Sequence, residues 1–127
     1  MKKNHPLSPH LQIYSWHISS LVSISHRITG IINIIGLIVI CAWIIFLFSG
    51  ENNYEFMKIF FQSFVGKFFV FGLMWSYSFH TLSGIRHLIW DLGFGYELNI
   101  SKFSGLIVIL GSFFMTIFLF LIGTNLL

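Results

Sequence analysis

Long apolar stretches alternate with short polar ones along this chain, and the alternation predicts its elements. The first apolar stretch covers 28–49 and is interrupted chiefly by Asn33 and glycines. The second covers 67–90 and the third 103–126. A helix needs about 20 apolar residues to cross the hydrocarbon layer of a membrane, and each stretch meets that length. The hydrophilic run Gly50-Glu-Asn-Asn-Tyr-Glu55 separates the first two, and 91–102 separates the last two. The pattern predicts an all-α membrane protein with three transmembrane helices in one membrane-anchor domain over 1–127. Residues 1–27 carry histidines, Pro6 and Pro9. They are too long and too polar for a cleavable signal, and read as an interfacial arm leading into the first helix.

Composition sharpens the membrane reading. Hydrophobic residues make up 56% of the chain and charged residues 9%, against roughly 25% charged in soluble domains. The net charge of +3 rests on seven basic residues, mostly near segment ends, so it speaks to topology rather than to nucleic acid. Lys2, Lys3, Arg27, Arg86 and Lys102 fall on one side of a three-helix arrangement, and Lys58 and Lys67 on the other. The positive-inside rule then places the N-terminus inside. Cys41 lies within an apolar run and supports neither a disulfide nor an iron–sulfur site, and no CxxCH haem-attachment motif occurs. With no transit peptide, a bacterial inner membrane or an organelle-encoded mitochondrial inner-membrane protein is expected.

Two polar clusters interrupt this apolar background. On a helix, His80, Gly84, His87 and Asp91 fall within about 60° of one another. The stripe has a histidine deep in the apolar part, a flat gap at the glycine, and polar groups at the water edge. Ionisable residues within membranes mark function, and a histidine beside a gap suits axial ligation of a planar cofactor, most simply haem. The other cluster is Ser23-Ile-Ser-His-Arg-Ile-Thr-Gly30, in which Ser23 and Arg27 share a face at i, i+4. A hydroxyl and a guanidinium side by side can bind the carbonyl of a lipid-soluble ligand or an anionic propionate. His80 lies roughly 13 Å along the axis from the inner end of its helix. His26 is expected at the edge of the first helix, and the third has no histidine. A six-coordinate haem would then need its second ligand from another chain.

Plain structural roles stand beside these. His80 can bond a backbone carbonyl, and Gly84 can be a packing notch. Arg86, His87 and Asp91 can form an interfacial ion cluster beside a Trp90 anchor, and Arg27 can snorkel to headgroups. Packing roles need not share one stripe, which favours the functional reading.

Pro6-Leu-Ser-Pro-His-Leu-Gln-Ile-Tyr14, the Ser23–Gly30 cluster and His80-Thr-Leu-Ser-Gly-Ile-Arg-His-Leu-Ile-Trp-Asp91 together resemble the cytochrome b subunit of succinate dehydrogenase, respiratory complex II. The resemblance spans nearly the whole chain. It implies a haem b shared with a second three-helix anchor subunit in a heterodimeric helix bundle. It also implies docking of an iron–sulfur subunit and a flavoprotein, with electrons from succinate passing to ubiquinone near the inner surface. His80 matches the axial haem ligand, Ser23 and Arg27 the quinone pocket, and His26 and Arg27 the haem propionates, with Gly84 beside the haem. His87 and Asp91 match the tail of the motif without separable roles. Two positions depart from the pattern: His5 stands where the family often has arginine, and Ser25 where many members have leucine. Two alternatives remain from the residues alone: the anchor of a quinol:fumarate reductase, and a non-catalytic small membrane assembly protein, which would carry no haem.

Overall fold

The computed structural model describes residues 15–126, all of whose regular elements are α-helices. In chain order these are α1 (Ile18–Phe48), α2 (Glu51–Gln62), α3 (Phe64–Asp91) and α4 (Leu98–Leu126). The expected interfacial arm with Pro6 and Pro9, and the motif from Pro6 to Tyr14, lie outside the described residues.

Helix α1 begins ten residues before the apolar stretch does. Apolarity reports where a helix meets lipid, not where its hydrogen bonds start. The residues from Ile18 to Arg27 are polar enough to leave the hydrophobic run, yet none is a helix breaker. The His17 carbonyl accepts from two amides of the first turn, Ser20 at 3.0 Å and Leu21 at 3.1 Å. At the other end Gly50, with φ of 109°, supplies the turn that stops α1.

The polar separator after α1 is itself helical. Residues Glu51–Gln62 put Glu51, Glu55, Lys58 and Gln62 on one side and Phe56, Ile59 and Phe60 on the other, an amphipathic pattern. Ser63 ends α2 and starts α3, its hydroxyl accepting the Gly66 amide at 3.0 Å. The two helices meet at 78°. Gly66 makes that bend possible, since a Cβ there would stand 2.0 Å from the Phe60 carbonyl oxygen.

By length and composition, α1 and the Leu98–Gly123 part of α4 can each cross a membrane. Helix α3 meets the same criterion only together with α2, across the bend. Its length is sufficient at 28 residues. What dilutes its apolarity is its inner face: Ser76, Ser78, Ser83 and Arg86 are all buried. It is the middle helix, packed against both α1 and α4.

The interior is more polar than the surface. Among the described residues the buried apolar side chains are Val22, Phe79 and Val108, with Trp75, Leu82 and Ile109 packed around them. Thr29, Ser76, Ser78, Ser83, Ser112 and Thr116 are also buried, while isoleucines and phenylalanines line the outside. Helices in lipid gain little by hiding apolar surface from one another and associate through small residues, close packing and hydrogen bonds. The Ser76 hydroxyl reaches Asn33 Oδ1 at 2.9 Å, so the polar break in the first apolar stretch joins α1 to α3. Gly105 brings α4 against α1 so closely that a Cβ would lie 2.8 Å from Ile18 Cγ2.

Candidate functional site

His80 is half-buried where α3 crosses α1. Its Nδ1 lies 3.1 Å from the backbone carbonyl oxygen of His26 and 3.4 Å from Thr29 Oγ1. A carbonyl only accepts, so Nδ1 carries the hydrogen and donates it. The lone pair is then on Nε2, the tautomer a metal-ligating imidazole adopts when its other nitrogen is held by a carbonyl. Gly30 leaves room for this ring, since a Cβ there would lie 3.2 Å from His80 Cε1.

Three imidazoles stack at this crossing. His26 lies over His80 with centroids 4.0 Å apart and planes 8° from parallel. His87 follows on the other side of His26 at 5.1 Å. His87 Nδ1 donates to the Ser83 carbonyl at 2.7 Å, the i−4 bond of its own helix. The expectation that no second histidine reaches the depth of His80 is thereby corrected. Because α1 starts at Ile18, His26 sits two turns inside the helix rather than at its edge. The gap expected at Gly84 is also filled in part by this ring: a Cβ on Gly84 would stand 3.9 Å from His26 Cε1.

Ser23 is half-buried and Arg27 exposed, on the same face of α1. Neither makes a hydrogen bond or ion pair among the described residues. Asp91 is exposed at the last residue of α3, one turn beyond His87, and makes no ion pair among the described residues. The interfacial cluster of Arg86, His87 and Asp91 does not form.

Arg86 turns inward instead and is 4% exposed. Its Nε donates to Ser104 Oγ at 2.9 Å. Its Nη2 donates to the Ser101 carbonyl at 3.0 Å and reaches the hydroxyls of Ser101 at 3.1 Å and Ser19 at 3.2 Å. The guanidinium also covers the Trp90 ring at 3.9 Å. One buried cation thus ties the first turns of α1 and α4 to the last turns of α3. Sequence reasoning missed this role. The signal was faint: Ser19 and Ser101 stood on segments read as polar edge, and Ser104 at the start of the third apolar stretch. It also missed Thr29 and Gly30 as partners of His80, although both stand within one turn of His26.

Among the described residues no group of three or more His, Cys, Asp or Glu side chains is placed to hold a metal ion. A free ion has no cage here. A single held imidazole is what an iron already bound in a porphyrin requires of a helix, so these residues fit that group.

The fold and site define a small helical membrane subunit with a histidine-centred interior. The chain belongs to the succinate dehydrogenase/fumarate reductase transmembrane subunit family, whose sequence profile matches residues 1–119. It is 34% identical over 109 residues to the succinate dehydrogenase cytochrome b556 subunit of Paracoccus denitrificans, covering 86% of this chain and 84% of that one. It is 33% identical over 114 residues to the b556 subunit of Rickettsia conorii, covering 90% and 89%. The succinate dehydrogenase cytochrome b560 subunit of Marchantia polymorpha is 35% identical over 125 residues, covering 92% and 89%.

Proposed function

We propose that this chain is the haem b-carrying membrane anchor of a succinate:ubiquinone oxidoreductase and forms part of its quinone site. The observation that carries the proposal is the His80 imidazole, half-buried between α1 and α3 with Nδ1 donating to the His26 carbonyl. That bond leaves the Nε2 lone pair free, the atom that would hold the haem iron. His26 and Arg27 would hold the haem propionates, with Gly84 beside the haem on the His80 stripe of α3. The haem, when bound, supplies a one-electron carrier within the helix bundle. His26 and His80 lie face to face and so do not flank one iron. The second ligand comes from a second anchor subunit, whose helices complete a heterodimeric bundle with α1, α3 and α4 as the three spans.

Ser23 and Arg27 serve ubiquinone. The Ser23 hydroxyl donates to a quinone carbonyl, and the Arg27 guanidinium favours the partly reduced, negatively charged form. Such stabilisation is worth most in a site of low dielectric. An iron–sulfur subunit and a flavoprotein dock on the side holding Ser23, Arg27 and Asp91. By the positive-inside rule this is the inner face, with the N-terminus in the cytoplasm of a bacterium or on the matrix side in mitochondria. The relatives' description as succinate dehydrogenase subunits supports succinate oxidation over fumarate reduction.

The absorption spectrum of the dithionite-reduced complex tests the ligand. Replacing His80 by Leu is expected to abolish or alter the haem b bands. An unaltered low-spin spectrum would refute the assignment.

A further inference from the structure

Helix α1 surrounds the His80 ring with groups that are not themselves ligands. The His26 carbonyl lies 3.1 Å from Nδ1, Thr29 Oγ1 lies 3.4 Å from the same nitrogen, and the His26 ring covers one face at 4.0 Å. Gly30 closes the Cε1 edge, where a Cβ would approach to 3.2 Å.

Thr29 is the member whose chemistry can be changed without touching the backbone. It is 2% exposed. Its hydroxyl hydrogen has two carbonyl acceptors in its own helix, Ser25 at 2.9 Å and His26 at 3.0 Å. A hydroxyl carries one hydrogen and two lone pairs. With the hydrogen spent on those carbonyls, the oxygen is left as a second acceptor, beside the His26 carbonyl, facing the Nδ1–H of His80. Thr29 and the His26 carbonyl therefore share the Nδ1–H in a three-centre bond.

We infer that Thr29 is a positioning residue for the iron ligand: with the His26 carbonyl it holds the Nδ1–H of His80, fixing the ring's rotation and raising the donor strength of Nε2. The inference rests on His80 being the haem ligand. Acceptors on the far nitrogen make a ligating imidazole more basic. A more basic ligand favours ferric over ferrous iron, so loss of an acceptor raises the reduction potential.

The test uses the whole detergent-purified complex. Thr29→Val keeps the branched shape and removes the acceptor. Its haem midpoint potential is expected to shift upward, with altered g values of the low-spin ferric signal, and Thr29→Ser is expected to return both toward wild type. A full haem complement with unchanged potential and g values in Thr29→Val would overturn the inference. If Thr29→Val does not retain haem, Thr29→Ala and Thr29→Ser replace it: the alanine potential is expected above the serine one, and equal potentials overturn the inference. Failure of the underlying assignment reads differently, as a low-spin spectrum that survives His80→Leu.

Discussion

The two ends of the α1–α3 pair are built on opposite plans. At the end holding Ser19, His26 and Arg86, hydrogen bonds cross between three helices and small residues bring the backbones together. At the end holding α2 and the start of α3, the joint is a steric one: Ser63 caps, Gly66 yields, and Phe64, Phe68, Phe71 and Phe120 line an open apolar groove beside Lys67. Apolar contact does little to choose one helix arrangement over another in lipid, because the tails offer the same surface. Directional bonds do choose. The end to which the proposed site belongs is therefore the polar one, and the other turns the chain.

Substitutions can break that contrast. Arg86→Ala has the largest expected effect. It removes donors shared by Ser19, Ser101 and Ser104 and opens a cavity at the junction of three helices. Hydrogen bonds from a charged group are worth about 1.5–3 kcal/mol each, and the loss is offset in part because a buried charge no longer has to be desolvated. A net destabilisation of about 3 kcal/mol is expected, read as a lower thermal midpoint of the intact complex. A midpoint equal to wild type would show that the polar end is not held by this cation.

Gly66→Ala probes the opposite end. Its Cβ would meet the Phe60 carbonyl at 2.0 Å, so the 78° joint must open, at a cost of about 1–3 kcal/mol typical of overpacking. The haem spectrum is expected to be unchanged, since the strain is confined to the α2–α3 turn. A shifted spectrum would mean that the two ends are coupled.

Ser23→Ala should act on chemistry with little effect on stability. One hydrogen bond fewer to a quinone carbonyl is expected to lower quinone turnover about tenfold, or ~1.4 kcal/mol. Succinate oxidation by a soluble artificial acceptor should be retained. Equal loss of both activities would assign Ser23 to assembly instead.

Hydropathy alone picked out the two helices, α1 and α4, that are long and apolar enough to cross a membrane by themselves, and the spacing of His80, Gly84 and His87 brought out the stripe that faces α1. Other features were hidden for definable reasons. The start of α1 at Ile18 was masked because serines and a histidine lower apolarity without lowering helix formation very much. Helix α2 was masked because its polar and apolar residues average out along the sequence and separate only around a helical wheel. Arg86 and Asp91 were both expected at the water edge. Yet Arg86 finds three serines and an indole on the inside, and Asp91 finds no partner among the described residues. Which way a long cation turns depends on acceptors brought in by segments far away in the chain, and local pattern carries no record of them.

The serine pair under Arg86 also bears on how the protein is made. Ser19 and Ser101 bond to each other at 2.7 Å across 82 positions of sequence. While the ribosome has delivered only α1 to α3, the guanidinium has Ser19 and the Trp90 ring but lacks every acceptor that α4 provides, and a partly satisfied arginine within a helix is costly to release into lipid. Helix α3 thus stands to gain from entering the membrane together with α4. The Arg86 bonds to Ser101 and Ser104, and the Ser19–Ser101 bond that ties in the first turn of α1, can close only once α4 is in place.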